Sequence, residues 1–467
     1  MASGGRTSLS ERGGRSGRSK GGALVTPLYK RLPHGPHRLG RNEVIQHQRA
    51  RIHGAIVEAV ARNGYAETSV KQVIGLAGVS RRSFYEQFSN KEVCFLATFD
   101  MLAARGVKRL RRAYLGAGGG IEGRLSATFA ELADAARTDR KASSLVIVEA
   151  QTAGPAGLLR VLRATATCEQ LLSLSFAESS ETHPLPAPIV RGIAGGLHGA
   201  MSTHLREDRE TSAADLTEEL LRWTLLFQTP AAELLAERVA ARVARQLREA
   251  PAANANGNGN GNGNGLTSRH APRGEDRERL LQNVLRLAAV DDYAELTAPQ
   301  IAEESGVSID AFFELFADRD ECFLAALDML GDEMLAIAAH PDLVSSDWPR
   351  AVRRVIGELM RFLAGRPLYA QAIAQEAFAA GPEAVERSLE LAHGLATLLT
   401  EGAPVEPECA ASVEGIAGAL WHTVRCHVTG ARIQLLPAVA DYLAYVVLAP
   451  FIGSDAAAEV VGEDRPL

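Results

Sequence analysis

The stretch that decides the fold is AGVSRRSFYEQFSNKE, residues 77–92, and a second version, SGVSIDAFFELFADRD, stands at residues 305–320. Around these stretches, residues 65–102 align without a gap on residues 293–330, and 17 of the 38 positions are identical. The shared positions include the GVS tripeptide and the tetrapeptide CFLA. A repeat of this length and identity predicts that one helical unit was duplicated.

The first copy carries the signals of a helix-turn-helix. Apolar residues recur at three- and four-residue steps over residues 43–63, and Gly64 then supplies a helix stop. Thr68 or Ser69 can cap a second helix, because a hydroxyl oxygen accepts an otherwise unpaired backbone N–H. After the AGVS turn, Ser80 can cap a third helix in the same way. A longer fourth helix is expected to follow.

Helical spacing continues through the rest of the chain, without sustained strand-like alternation. Residues 256–265 are five Asn-Gly dipeptides that lack flanking apolar strands, which favours a flexible linker over a hairpin. Similar segments at residues 192–205 and 415–428 extend the repeat. We therefore predict an all-α chain of two tandem modules. The expected parts are a disordered basic arm (1–42), a first head (43–108), a first body (109–250), a linker (251–272), a second head (273–336), a second body (337–452) and a tail (453–467).

Charge is distributed unevenly along the chain. The net charge is -6, but residues 1–53 hold eleven Arg or Lys against two Glu. Arg41, Arg49 and Arg51 are therefore candidates for a DNA-contacting arm, by phosphate neutralisation or minor-groove insertion. The alternative is that this charge only reflects a disordered segment.

The cysteines and the hydropathy point to the cytoplasm. The five cysteines lie far apart and form no CxxC pair, as expected of reduced core residues. No apolar run approaches the roughly 18 residues of a membrane helix, so no membrane partner is expected. A cytoplasmic, nucleoid-associated location follows from this interpretation.

Residues 77–92, with Gly64-Tyr65 and Thr68-Ser69 upstream, resemble the DNA-binding domain of the tetracycline-repressor (TetR-like) transcriptional regulators. The resemblance covers residues 43 to 450 and is strongest in the first head. It implies a three-helix head on a helical body that binds ligands and forms dimers. It also implies binding to palindromic double-stranded DNA operators, so that the chain is expected to be a ligand-responsive repressor.

The predicted DNA contacts lie on helices two to four of the first head. The second helix of a helix-turn-helix fits the major groove, where an arginine can bind guanine through two hydrogen bonds. The resemblance implies that hydroxyl, tyrosine and lysine residues nearby contact phosphates and set the register. Any one of these side chains alone would be an ordinary surface group; the complete motif favours DNA binding. The predicted set is Thr68, Ser69, Lys71, Arg81, Arg82, Ser83, Tyr85 and Lys91.

The second copy lacks the basic residues of the first. Residues 293–330 carry one basic and nine acidic residues, a net of -8, whereas residues 65–102 have four of each. Arg81 is replaced by Ile309 and Arg82 by Asp310, although the apolar positions are kept. Such a surface repels a polyanion. We expect a folded head that does not bind DNA, or alternatively a protein-interaction or DNA-mimic module.

The bodies are expected to bind an effector and to pair with each other. By resemblance, a small and largely apolar molecule enters the first body, and no cofactor is expected. Residues 189–205 with 215–228, and 413–428 with 438–448, are expected to pair within one chain as a pseudo-dimer. Two chains would then occupy an inverted repeat; the competing arrangement pairs like halves of two chains. The candidate pocket residues, which are otherwise ordinary core, are Phe129, Phe176, Met201, Trp223 and Phe227.

Catalysis and metal binding are not expected. The sequence contains no phosphate-binding glycine loop after a strand, no Ser/His/Asp arrangement and no HExxH motif, so the chain is not predicted to be an enzyme. Histidines at 198, 204, 422 and 427 are expected to be packed or surface residues. No metal site is predicted, because none of them forms a metal-type cluster with a cysteine or carboxylate along the sequence.

Overall fold

The computed structural model confirms the predicted all-α fold class: the residues it describes form helices and turns, with no strand among them. The predicted arm (apart from residues 41 and 42) and the predicted linker lie outside the described residues. The described residues are 41–178, 184–207, 211–228, 273–291, 293–344, 347–405 and 412–463, with isolated positions from 235 to 244.

The helices of the first half are α1 (Arg41–Glu67), α2 (Val70–Ala77), α3 (Arg81–Tyr85), α4 (Lys91–Gly116), α5 (Gly120–Thr138), α6 (Arg140–Ile147), a 3₁₀ turn (Glu149–Thr152), α7 (Gly154–Glu178), α8 (Ala187–Arg206) and α9 (Ala213–Leu225). Gly64 interrupts α1 with φ 74° and ψ 165°, at the predicted helix stop. Helix α4 runs from the first head into the first body, so residue 108 lies inside a continuous helix.

The helices of the second half are α10 (Arg273–Asp291), α11 (Ala298–Glu304), α12 (Ile309–Leu315), α13 (Arg319–Ala338), α14 (Trp348–Gly365), α15 (Pro367–Gln371), a π turn (Ala372–Glu376), α16 (Ala377–Ala380), α17 (Pro382–Glu401), α18 (Ser412–Thr429), α19 (Leu436–Ile452) and α20 (Ser454–Gly462). Helix α20 lies within residues 453–467, the segment that the sequence analysis assigns to a tail. Its Ala457 and Val461 are fully buried, because the apolar run in this segment packs against α19.

The two heads differ in how their cores connect to the rest of the chain. Phe84, Phe88 and Phe95 centre an apolar core that joins the first head only to α6, α7 and the 3₁₀ turn between them. The second head instead shares one continuous apolar core with both bodies. Burial of each such side chain contributes about 1.5 to 3 kcal/mol. The first head is therefore packed separately from the main core, whereas the second head is part of it.

Helices α8 and α18 bring the two halves of the chain together through glycines. A Cβ on Gly195 would lie 2.7 Å from the His422 Cβ and 2.8 Å from the Gly418 carbonyl oxygen. A Cβ on Gly418 would lie 2.4 Å from the Gly195 carbonyl oxygen. Only glycine allows the backbones to approach this closely. Trp223 of α9 covers the same contact, against Gly196 and Gly415.

Among the residues that the structure describes, one helical segment is long and apolar enough to cross a membrane, so the expectation that no apolar run approaches that length is wrong. The segment Ile433–Ile452 has 20 residues and a mean hydropathy of 1.8. In the fold 72% of an 18-residue stretch of this segment is buried, and its Asp441 pairs with the buried Arg353 at 2.9 Å. Since a core helix of a soluble protein can be equally long and apolar, this segment is only weak evidence for a membrane span.

Candidate nucleic-acid interface and effector cavity

The turn of the first helix-turn-helix is built by local hydrogen bonds. Ser69 caps α2, with its hydroxyl accepting from the Gln72 backbone N–H while the Gln72 side chain accepts from the Ser69 backbone N–H at 2.7 Å. Gly78 ends α2 in the left-handed conformation at φ 59°. Ser80 then caps α3 by accepting from the backbone N–H of Ser83 at 3.0 Å. The predicted caps and turn are present in the fold.

Helix α3 is held to the head by its apolar side. Phe84 is fully buried, and Phe88 and Val73 are nearly so. Ile74 and Val79 are half-buried at the edge of this core. The opposite side of α3 is consequently left at the surface.

The exposed side of α2 and α3 carries most of the predicted DNA contacts. Ser69, Lys71, Arg81, Arg82 and Tyr85 are exposed, and Ser83 is half-buried. Arg82 pairs at 2.9 Å with Glu86, the residue that directly follows α3, and the Arg81 guanidinium lies 5.7 Å from the Tyr85 ring centroid. Exposed pairs of this kind contribute only about 0 to 1 kcal/mol, so both arginines can exchange them for contacts with DNA.

Thr68 does not belong to this surface, and its assignment as a DNA contact is corrected. Its side chain is buried, with 2% of the residue exposed. Its hydroxyl donates to the Gly64 carbonyl oxygen at 2.7 Å. Thr68 therefore fixes the link between α1 and α2, and Ser69 is the hydroxyl residue at the surface.

Lys91 connects the start of α4 to the end of α1. Its ammonium donates to the carbonyl oxygens of Tyr65 at 2.9 Å and Ala66 at 3.1 Å, and it lies 4.3 Å from the Tyr65 ring centroid. Partial burial lowers the pKa of this ammonium. Because an ammonium has three donors, one N–H is left with which Lys91 can contact a phosphate.

The candidate DNA arm is corrected in part, because its arginines belong to α1. The Arg51 guanidinium donates to the Ala77 carbonyl oxygen at 2.8 Å and also to that of Gly78. Arg51 therefore stabilises the helix-turn-helix turn from behind. Arg49 lies 5.2 Å from the Phe88 ring centroid on the exposed side of α1. Arg41 is the first residue of α1.

The second head repeats this framework with a different surface. Thr297 and Gln300 form a capping box on α11, and Gly306 takes φ 63°. In place of the basic groups, α12 exposes Ile309, Asp310 and Phe313, and Phe313 is 55% exposed. The difference between the heads therefore lies in the side chains and not in the backbone.

The first body contains a largely apolar cavity of about 270 Å³, between helices α4, α5, α6, α7 and α8. Phe129 and Met201 line it, as predicted. Phe176, Trp223 and Phe227 do not line it and belong to the core. Trp223 donates from Nε1 to the Ile193 carbonyl oxygen at 3.2 Å, which turns its ring towards α18. Helical spacing identified these residues as buried, but it could not indicate which interior they face.

The polar side chains of the cavity wall were missed by the sequence analysis. Arg105, Arg109, Cys168 and His198 all lie in the lining. Burial, with the positive charge of Arg425 second, lowers the pKa of His198 to about 3. This histidine is therefore neutral at physiological pH and can accept a hydrogen bond.

The 3₁₀ turn after α6 links the cavity to both the first head and the second body. Gln151 lies 3.3 Å from His198 through its amide nitrogen, and its oxygen accepts from the buried Arg425 at 3.0 Å. Two residues earlier, the Glu149 carboxylate accepts from the Tyr65 backbone N–H at 3.0 Å. These contacts of Gln151 and Glu149 connect the cavity wall at His198 to the start of the helix-turn-helix at Tyr65.

The histidines considered for metal binding have separate environments. His198 borders the cavity, His204 lies near the end of α8, and the His427 Nδ1–H donates to the Thr423 carbonyl oxygen at 2.8 Å. No histidine forms a metal-type cluster with a cysteine or carboxylate along the sequence, but the fold brings two such residues to His422. Its ring lies beside Glu169 and Cys426. The i, i+4 spacing of His422 and Cys426 was the only sequence signal, because Glu169 is 253 residues away.

Comparison with known proteins finds that the first head is similar to bacterial regulators. Residues 52–98 match the family model described as bacterial regulatory proteins, tetR family. The transcriptional regulator FadR from Bacillus subtilis, in complex with stearoyl-CoA, has a TM-score of 0.34 at 17% identity over 37% of this chain and 96% of its own. The fatty acid degradation regulator FadR from Bacillus halodurans has a TM-score of 0.34 at 20% identity, over 38% and 96%. A comparison with curated proteins finds no match. The match over residues 52–98 supports a DNA-binding transcriptional regulator that resembles the tetR family.

Proposed function

We propose that this chain is a sequence-specific transcriptional regulator, and not an enzyme, that binds a double-stranded DNA operator through its first head alone. The observation that carries the proposal is the exposed side of α3, where Arg81 and Arg82 have only weak contacts with side chains in or directly after their own helix. The second head presents Ile309 and Asp310 at the matching positions. A cytoplasmic, nucleoid-associated location follows from this function.

The test is selection of bound fragments from randomised or genomic DNA, followed by fluorescence anisotropy on the recovered sequence. Replacing both arginines by aspartate should weaken binding at least about 30-fold, because two bidentate guanine contacts of about 1 to 3 kcal/mol each are lost. Arg137→Asp/Arg222→Asp is the matched control, since it changes net charge equally on two exposed arginines of the first body. Equal loss in both double variants would show that net charge, and not the α3 surface, governs binding.

Pairing of the two bodies within one chain is the second part of the proposal. It is supported by the glycine contacts between α8 and α18, and by the Tyr445 hydroxyl, which donates to the Phe227 carbonyl oxygen at 3.1 Å. A chain paired in this way carries one DNA-binding head, so an inverted repeat requires two chains. Light scattering of the free protein and of the operator complex tests this stoichiometry. A stable dimer without DNA would favour pairing of like halves across chains.

Effector control is the third part of the proposal. The volume of the cavity in the first body is close to the lower end of the range for small-molecule sites, which is roughly 300–1,000 Å³. Its apolar lining suits a small, largely apolar effector whose binding lowers operator affinity through the Glu149 contact with the head. Ala164→Phe, which fills the cavity, should abolish binding of an apolar naphthalene fluorophore. Ala166→Phe, exposed on the same helix and outside the lining, should not.

A second candidate function is docking of a basic partner protein on the second head. The net charge of -8 over residues 293–330 and the exposed Phe313 favour it. Asp318 is unsuitable for the test because its side chain caps α13, accepting from the Glu321 backbone N–H at 2.9 Å. Glu303→Lys/Asp310→Lys leaves the caps intact and should abolish such a complex. A complex that survives this variant would exclude the acidic surface as the docking site.

A further inference from the structure

Three metal-ligating side chains meet where the two halves of the chain touch. Glu169 belongs to α7 of the first body, whereas His422 and Cys426 stand one turn apart on the same side of α18. The His422 Nε2 lies 3.0 Å from the Glu169 Oε1 and 3.5 Å from the Cys426 Sγ. The three ligand atoms all lie within 4.8 Å of one another.

These separations suit one ion among three ligands. Zinc binds sulfur at about 2.3 Å and nitrogen or oxygen at about 2.0 to 2.2 Å, in tetrahedral geometry. Such bonds place sulfur and nitrogen about 3.5 Å apart and nitrogen and oxygen about 3.4 Å apart. The His422–Cys426 distance already matches the sulfur–nitrogen value, and the His422–Glu169 distance needs to lengthen by about 0.4 Å. A thiolate and a carboxylate would also balance the charge of a divalent ion.

The residues around the three side chains provide a second contact for the Glu169 carboxylate and access for a metal ion. Arg191 lies 3.5 Å from Oε2 of Glu169, the oxygen that is not beside His422. It can therefore hold the carboxylate while the other oxygen binds an ion, which is the usual second contact of a ligating carboxylate. His422 is buried, but Glu169 and Cys426 are each half-buried, so an ion can enter from their side.

We propose that Glu169, His422 and Cys426 bind a thiophilic divalent cation of the Zn²⁺ type and so join the two halves of the chain. Binding requires loss of the Cys426 proton, so that the ligands are thiolate, neutral imidazole and carboxylate. A fourth position is left for water or a small ligand. Because α18 also carries Arg425, which contacts Gln151 beside the cavity, the ion would fix that contact as well.

The test is titration of the full-length, chelator-treated protein with Co²⁺, followed by competition with Zn²⁺. The wild-type chain should bind a single Co²⁺ with a thiolate-to-metal charge-transfer band in the near ultraviolet, and Zn²⁺ should displace it. Cys426→Ser should lose the band and weaken binding at least 100-fold, since loss of an outer partner alone costs about 10- to 100-fold. Cys94→Ala, which changes a buried cysteine of the first head, should retain both.

Glu169→Gln keeps the shape of its side chain and should weaken binding at least tenfold while leaving the helical circular dichroism unchanged. This variant tests the same site independently, so that the proposal can still be decided if Cys426→Ser does not fold. The proposal is overturned if the wild-type chain shows no thiolate band, if the band persists in Cys426→Ser, or if Glu169→Gln binds as tightly as the wild type.

Discussion

Replacement of Gly418 by alanine tests how tightly the two halves of the chain are packed. In the fold, an alanine Cβ at this position would lie 2.4 Å from the Gly195 carbonyl oxygen and 3.0 Å from the Gly199 Cα. Both are backbone atoms of α8, so neither can move aside as a flexible side chain would. The two helices must separate, or α18 must shift along α8.

The expected cost follows from two opposing effects. Overpacking of a well-packed contact costs about 1 to 3 kcal/mol, and a clash with backbone belongs at the upper end. Alanine in a helix interior is about 1 kcal/mol more stable than glycine, which offsets part of this cost. We therefore expect Gly418→Ala to lower the free energy of unfolding by about 2 kcal/mol. Gly106→Ala is the matched control, because its Cβ would meet no atom within 4 Å; it should raise that free energy by about 0.4 to 1 kcal/mol.

Urea unfolding followed by tryptophan fluorescence is the appropriate assay. All three tryptophans, Trp223, Trp348 and Trp421, lie in the bodies, so the signal reports the paired region and not the first head. If pairing is within one chain, the midpoint should not depend on protein concentration. Two results would refute the reasoning: Gly418→Ala as stable as Gly106→Ala, or a midpoint that rises with concentration because the helices pair between chains.

Three further predictions concern the first head. Arg51→Ala should destabilise the first head by about 1.5 to 3 kcal/mol in thermal melts, because it removes the guanidinium from the Ala77 carbonyl. In DNA titrations at several salt concentrations, a purely structural role of Arg51 leaves the salt dependence of binding unchanged, whereas a lost phosphate contact lowers its slope by about 1. Glu149→Ala, which frees the Tyr65 N–H, should leave binding of the apolar fluorophore intact but reduce the effector's influence on operator affinity; an unchanged influence would exclude this route. Burial lowers the pKa of His53 from 6.5 to about 4. The neutral, buried ring therefore contributes its full stability above about pH 6.5, and up to about 3 kcal/mol is lost as the pH falls towards 4. The free energy of unfolding of His53→Gln should depend less on pH over that range.

Local sequence was sufficient to predict the framework of the first head. The caps at Ser69 and Ser80 and the glycine turn at Gly78 depend on neighbours within four residues, so a sequence pattern can reveal them. The exposure of Arg81 and Arg82 followed from the same pattern, because Phe84 fixes which side of α3 is buried.

Long-range partners were beyond the reach of the sequence. The burial of Thr68 depends on a carbonyl freed by the break at Gly64, and hydroxyl caps at Thr68 and Ser69 look alike in a pattern. The direction of Trp223 depends on Gly196 of α8 and on Gly415 of α18, nearly 200 residues away, because only their missing Cβ atoms make room for its ring. Periodicity reports that a residue is buried, but not which of several interiors receives it.

Comparison of the two heads separates cations that maintain the fold from those that face outward. At a constant offset of 228 residues, Arg51 corresponds to Arg279, and both donate to carbonyls of the turn. Likewise Lys91 corresponds to Arg319, which donates to the Tyr293 and Leu296 carbonyls and lies 4.4 Å from the Tyr293 ring.

The cations that the second head lacks are those that face outward in the first head. Arg81 and Arg82 contact only side chains of their own short helical segment, and the second head has Ile309 and Asp310 there. Loss of these cations costs the fold almost nothing, whereas loss of Arg51 or Lys91 would leave carbonyls without their donors. The residues that differ are therefore those that only an external polyanion would need, which supports DNA binding by the first head and a retained, non-binding fold for the second.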